Sequence, residues 1–214
     1  MAHPNFLLNS RVLIIGGSSG IGLAVASGAL ASGSRVHITS LTAEKLSTKI
    51  RQLQSLYPGS HIGGSIANLS SVETLEETLR SVLTAAVTET EGPLDHIVYT
   101  AGELPETILL AQTTTATALA PFTVRYLGSL LVGKVIAASP GRYLKPDPSS
   151  SITLTSGLGV HRPPPGFSGV APIMAAVETL SRTLAVDLAP IRVNVVIPGV
   201  ARTELSERVN GGKY

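Results

Sequence analysis

The chain has 214 residues, 43% of them hydrophobic and 14% charged, with 16 Lys and Arg against 14 Asp and Glu and no cysteine. So apolar a chain folds around a buried core, which excludes disorder, and its length suits one α/β or α+β domain. The net charge of +2 is spread evenly and argues against nucleic acid or an anionic membrane as partner; the lack of Cys removes disulfides, thiolate nucleophiles and Cys-based metal sites, and the five scattered His residues show no metal-ligand spacing. The opening MAHPNFLLNSR lacks the layout of a signal peptide. No apolar run approaches the ~18 residues of a membrane span, so a soluble, cytoplasmic protein is expected.

Strand-like and helix-like stretches alternate along the chain. Val12–Ile15 reads as a strand buried on both faces, ended by Gly16-Gly17. A helix follows over Gly20–Ser32, stopped by Gly33, then a β-branched strand over Arg35–Ser40. Thr42 caps a helix over Thr42–Leu56, with Leu46, Ile50, Leu53 and Leu56 as its buried stripe. His61–Ala67 is a third strand weakened by Gly63-Gly64, and Ser70 or Ser71 caps a long helix to about Thr90. Leu94–Thr100 is the fourth strand. Residues 116–138 are helical with a break or a start at Pro121. After a proline-containing surface loop over Arg142–Ser149 come a strand at Ser151–Thr155, a helix at Val170–Leu188 and a strand at Ile191–Ile197. Repeated strand–helix–strand order with no internal boundary predicts a single α/β domain over 1–214, its sheet mostly parallel and its helices on both faces.

The sharpest motif is Ile15-Gly16-Gly17-Ser18-Ser19-Gly20-Ile21-Gly22, set between the first strand and the first helix. Glycines there admit positive φ and let backbone N–H groups close on a diphosphate at a helix N-terminus. The spacing Gly16, Gly20, Gly22 resembles the T-G-x-x-x-G-x-G of the short-chain dehydrogenase/reductase family, with Ile15 for Thr. Asn68-Leu69-Ser70 resembles its D-L/V-T segment, Tyr99-Thr100-Ala101-Gly102 its N-N-A-G, Ser151–Ser156 the strand carrying its catalytic Ser, and the run from Ile191 to Gly199, with Thr203, its R-V-N-x-V-x-P-G-x-x-x-T. The resemblance covers residues 9–205. It implies a Rossmann-type doubly wound parallel sheet and a nicotinamide cofactor. The residues implied to hold it are Gly16, Ser18, Ser19, Gly20, Ile21 and Gly22 of the turn, Asn68 and Leu69, Ala101 and Gly102, and Pro198, Gly199 and Thr203. At the end of the second strand an acid would bind the ribose 2′-OH and repel a 2′-phosphate. Thr39-Ser40-Leu41-Thr42 contains none; Ser40 and Thr42 can donate to a 2′-phosphate, with Lys45 near, so NADP(H) is favoured over NAD(H). The alternative is that Ser40 and Thr42 only cap the next helix.

The catalytic centre departs from the family. Its Tyr-x-x-x-Lys pair falls on Val170 and Met174, its helix Asn on Arg125, and only Ser156 is retained; residues 157–188 contain neither Tyr nor Lys. Arg125 is a candidate to bind a cofactor phosphate or ribose, or to stabilise an oxyanion, or else a structural ion pair. His161 is a candidate acid or base on the loop after Ser156, or a solvated loop His. Tyr99 and Tyr126 are read as packing residues with one hydrogen bond. Three prolines, Pro163–Pro165, stiffen the wall of the pocket, and Phe167 either lines an apolar substrate site or packs beneath the next helix. The whole pattern resembles a divergent branch of the family found in fungal natural-product pathways, some of whose members reduce iminium intermediates and steer a cyclisation; Pro164 stands where that group has an acid, so the cyclase role does not carry over.

The chain stops 11 residues after Thr203, which predicts that the family's C-terminal lid and seventh strand are missing, leaving an open pocket and an exposed sheet edge. The function expected is an NADP(H)-dependent oxidoreductase of an apolar secondary-metabolite intermediate, carbonyl or iminium. A redox-neutral isomerase or cyclase using the cofactor as a template, and a non-catalytic cofactor-binding protein, are the alternatives. A small-molecule substrate is the expected partner, with a homo-oligomer as the candidate assembly.

Overall fold

The computed structural model describes residues 6–102, 110–199 and 201. The described residues form six strands and six α-helices: β1 (Arg11–Ile15), α1 (Gly20–Ala31), β2 (Arg35–Ser40), α2 (Ala43–Leu56), β3 (Ile62–Ile66), α3 (Leu75–Glu89), β4 (His96–Tyr99), α4 (Thr115–Pro121), α5 (Gly128–Ala137), β5 (Ser151–Thr155), α6 (Ala171–Asp187) and β6 (Arg192–Val196). All strands are parallel, in the order β3-β2-β1-β4-β5-β6. The order reverses direction at β1, so a crevice opens between the loops after β1 and β4, where doubly wound sheets place their ligands.

Alternation along β1 divides the core. Val12 and Ile14 face a cluster with Val36, Ile38, Leu46 and Leu53, roofed by α1 and α2. Leu13 and Ile15 face the larger cluster, with Leu79, Leu83, Val132, Ile136 and Leu184 from α3, α5 and α6. Successive strand side chains point to opposite faces, so the unbroken apolar run Val12–Ile15 serves both layers.

Four local expectations are corrected. Leu56 is exposed rather than part of the α2 stripe; it sits in the last turn, where the chain turns away through Pro58-Gly59. Neither Ser70 nor Ser71 caps α3, whose N-cap position is Thr74, without a side-chain cap bond: Ser70 spends its N–H and hydroxyl on Asn68 Oδ1 (3.0 and 2.7 Å), and Ser71 bonds Glu73, local turns that hold the chain out of the helix. Pro121 ends α4 without breaking the rod, which continues as a π-helical segment, Phe122–Leu127, into α5. The rod spans 23 residues, 115–137, and by length and composition could cross a membrane. Thr, Ser, Arg125 and Lys134 interrupt its sequence, so no apolar run is visible there; in the fold its apolar side packs against α3 and α6.

Gly63 also gains a reason. A Cβ there would overlap the Glu89 carboxylate, which lies against β2 and β3 to meet His37 Nδ1 at 2.5 Å. β6 is the outer strand of the described sheet, and Val196 and Ile197 at its end are exposed.

Candidate active site

The crevice is built on the turn after β1. Gly16 has φ +91°, and a Cβ on it would come within 2.6 Å of the Ala101 nitrogen; one on Gly22 would overlap the Gly16 carbonyl. Only glycine allows the β1 turn, the loop after β4 and the start of α1 to approach this closely. The turn is fixed from both neighbours: Gly16 N–H donates to Thr39 Oγ1 at 2.9 Å, and the Thr100 hydroxyl lies 3.2 Å from both the Ile15 and Gly16 carbonyls. Thr100 therefore tethers the turn from a position where the family carries Asn. Ser18 is buried, and Ser19 precedes α1 in an extended conformation with no side-chain cap. The first amides of α1, from Gly20, Ile21 and Gly22, thus lack a side-chain acceptor, the condition under which a helix N-terminus binds an anion.

At the end of β2, Ser40 is buried and its Oγ has no hydrogen-bond partner. It does not cap α2; that role belongs to Thr42, whose Oγ1 accepts from Lys45 N–H at 3.3 Å. A buried hydroxyl without a partner costs about 1–3 kcal/mol, and a ligand oxygen at the crevice would relieve that cost. Leu69 is buried beneath the rim formed by the exposed Asn68, whose Oδ1 is committed to Ser70. Uncapped amides, the glycine cradle and the orphan hydroxyl fit a dinucleotide.

Arg125 lies in the π-helical segment, a distortion that recurs at functional sites. It is only 9% exposed, and its guanidinium lies against Gly102: a Cβ there, at φ +152°, would stand 2.6 Å from Arg125 Cζ. The structure thus joins Arg125 to the Ala101–Gly102 loop. Burial lowers the Arg125 pKa from its ordinary value, opposed by Tyr99, and burial raises that of Tyr99. Tyr99 donates to the Val124 carbonyl at 2.5 Å with its hydroxyl seated over Gly128, while Tyr126 stacks on Phe122 at 4.9 Å. Tyr99 packs with one hydrogen bond, as expected; for Tyr126 the contact seen is the ring stack.

Ser156, at the carboxyl end of β5, is 4% exposed. Its hydroxyl donates to Glu178 Oε1 at 2.7 Å and lies 3.3 Å from the Met174 carbonyl. Glu178 Oε2 lies 3.4 Å from His161 Nε2. Val170, Met174 and Glu178 are spaced four apart and so share one face of α6; Val170 is its N-cap and Met174 is buried. Pro198 reaches the same loop by accepting from Leu158 N–H at 3.0 Å, and Gly199 has open space around it. The Phe167 ring packs on Gly159, and with Pro163–Pro165 it lines an open groove of about 520 Å³. Thr203 lies outside the described residues.

Sequence reasoning missed Glu178, and it named Thr39 and Thr100 within their segments without their roles in tethering the glycine turn. Spacing on α6 could have flagged Glu178, two turns past Val170 on the same face.

A parallel sheet in this order, with a glycine-cradled helix N-terminus at its switch point, defines a Rossmann-type dinucleotide-binding domain. Residues 3–214 match the model of the SDR-like Rossmann domain, and the chain belongs to the short-chain dehydrogenase/reductase family, an oxidoreductase family whose fold binds a nicotinamide cofactor. It is similar to the short-chain dehydrogenase/reductase ATR9 of Stachybotrys chlorohalonatus, at 38% identity over 194 residues, 91% of this chain and 74% of the relative. It is also similar to malC of Malbranchea aurantiaca, at 34% identity over 97% of this chain and 77% of that one. Among solved structures, the MalC reductase/Diels–Alderase of Malbranchea aurantiaca aligns with TM-score 0.86 and 35% identity, covering 94% of this chain and 77% of its own. A short-chain dehydrogenase from Burkholderia cenocepacia in complex with NADP aligns with TM-score 0.81 and 27% identity, covering 93% and 77%. The fungal relatives include short-chain dehydrogenase/reductases of natural-product biosynthesis.

Proposed function

We propose that the protein is an NADP(H)-dependent oxidoreductase acting on an apolar secondary-metabolite intermediate, carbonyl or iminium, through a non-standard active site. The observation that carries this reading is the buried, unpartnered Ser40 hydroxyl beside an acid-free end of β2, next to the uncapped start of α1. The amides of Gly20–Gly22 hold the diphosphate, Ser40 with Thr42 receives the 2′-phosphate, and Arg125 behind Gly102 supplies a fixed positive charge at the centre of the crevice. When bound, the nicotinamide supplies the hydride. Val170 and Met174 cannot move a proton, so proton handling falls to other groups or is dispensed with, as it is when the hydride acceptor is an iminium carbon.

Fluorescence titration with NADPH and NADH tests the cofactor: NADPH binds at least tenfold tighter, and Ser40→Asp reverses the order by repelling the 2′-phosphate. Binding of neither nucleotide overturns the reading. A redox-neutral role, with the cofactor as template, is the second reading. What supports it is that the MalC relative is a Diels–Alderase as well as a reductase; what weighs against it is Pro164, where the cyclising branch has an acid. Deuterium from labelled NADPH appearing in the product decides for the first.

A further inference from the structure

We infer that His161, Glu178 and Ser156 form a proton relay from solvent to the floor of the site, with Glu178 as the link; this rests on the oxidoreductase reading above. The inner end is Ser156, 4% exposed at the carboxyl end of β5, with its hydroxyl 2.7 Å from Glu178 Oε1. The outer end is His161, whose side chain is 54% exposed and whose Nε2 lies 3.4 Å from Glu178 Oε2. The carboxyl group between them is nearly buried, with 11% side-chain exposure, and its two oxygens face one partner each. A carboxyl group can take a proton on one oxygen and release it from the other, and an exposed imidazole has two ring nitrogens through which it can pass a proton to or from water. No other titratable side chain in the described residues connects Ser156 to the surface by hydrogen bond or ion pair. The relay stands on the face of α6 where Val170 and Met174 leave no proton donor.

The step balances for a carbonyl substrate. The carbonyl carbon gains the hydride as its π bond breaks, and the oxygen left negative takes the Ser156 proton. Ser156 recovers a proton from Glu178 Oε1, Glu178 recovers one from His161 through Oε2, and His161 takes one from water. With Glu178 ionised the hydroxyl donates to the carboxylate; with Glu178 protonated that bond reverses and the Ser156 proton is released to the crevice. A quaternary iminium substrate uses the same hydride and needs no proton.

That difference gives the test. NADPH-dependent reduction of a ketone panel and of N-methyl-3,4-dihydroisoquinolinium is compared in wild type, Glu178→Gln and His161→Ala. The ketone-to-iminium rate ratio falls by about 10²-fold or more in Glu178→Gln, the range for loss of a proton donor. It falls in His161→Ala too, where added imidazole restores it. Damage to structure alone would lower both rates together and leave the ratio unchanged, which overturns the relay. Wild type that binds NADPH yet reduces no ketone also overturns it, whereas failure to bind NADPH overturns the oxidoreductase reading itself. A second readout needs no turnover: in nucleotide-free protein with ¹⁵N-labelled histidine, the His161 Nε2 resonance moves on Glu178→Gln. A resonance that stays in place overturns the contact. His161→Ala lies on an exposed loop, so the test stands even if Glu178→Gln fails to fold.

Discussion

Single residues at the crevice are chosen by what they exclude. Gly102 has no Cβ because the Arg125 guanidinium fills that space, so Gly102→Ala must push the buried cation aside. NADPH affinity in Gly102→Ala is expected to fall by about tenfold or more, in line with the ~1.5–3 kcal/mol of one charged hydrogen bond. Arg125→Ala is expected to fall at least as far, with the melting temperature as the control for folding. Calorimetric titration checks both; unchanged affinity in Arg125→Ala removes Arg125 from the cofactor site. Gly16, Gly22 and Gly102 were legible because a backbone constraint leaves a one-letter trace at a fixed spacing. Glu178 was legible only as a residue on the Val170–Met174 face of α6; its role was not, because that depends on a tertiary contact between α6 and the end of β5. Nothing in the spacing of Ser156 and Glu178, 22 residues apart, reveals that contact.

Among the elements, all six strands were legible in place and order, although β4 is shorter than read, His96–Tyr99 rather than Leu94–Thr100. Arg35–Ser40 and Ser151–Thr155 are β2 and β5 as read, since β-branched runs between turn residues have few alternatives. Helix starts were legible only where one side chain competes for the cap. Thr42 stands alone before α2 and caps it, whereas before α3 the polar side chains pair off locally, Ser70 with Asn68 and Ser71 with Glu73, and leave Thr74 at the N-cap position without a side-chain cap bond. Thr42→Ala is expected to cost about 1 kcal/mol, measured by urea denaturation. The Gly63-Gly64 pair was read as a weakness of β3, yet the strand pairs with β2 over Ile62–Ile66, and the reason for the glycine was not visible: Gly63 vacates space for Glu89. Gly63→Ala should therefore expel the carboxylate from His37 and destabilise the fold by about 1–3 kcal/mol, the cost of leaving a buried polar group without its partner. At about 2–4 °C per kcal/mol for a chain of this size, the melting temperature falls by roughly 2–12 °C. A stable Gly63→Ala protein that retains the His37–Glu89 contact would refute this account of β3.

At the scale of the whole molecule, the same His37 ties stability to pH. Its ring is buried in the sheet, bonded through Nδ1 to Glu89 and through Nε2 to Ser65 at 2.8 Å. Burial lowers the His37 pKa, and Glu89 opposes the shift. The net direction is downward because the ring is sealed from water while the Glu89 side chain is 39% exposed and its field is screened. Burial lowers the His96 pKa as well. A histidine whose pKa is lower folded than unfolded leaves the unfolded chain holding more protons, so stability rises with pH. That contribution is intact above the unfolded value of about 6.5 and is lost as pH falls from there towards the folded pKa. The melting temperature is therefore expected to be level between about pH 7 and 8 and to decline steadily below about 6.5. His37→Gln should lower it at pH 7.5, because a buried hydrogen-bonded ring is lost, yet flatten the acid decline, because one proton-linked group is gone. Calorimetric scans of the two proteins across this range decide the matter: parallel acid declines would mean that His37 is not the linked group.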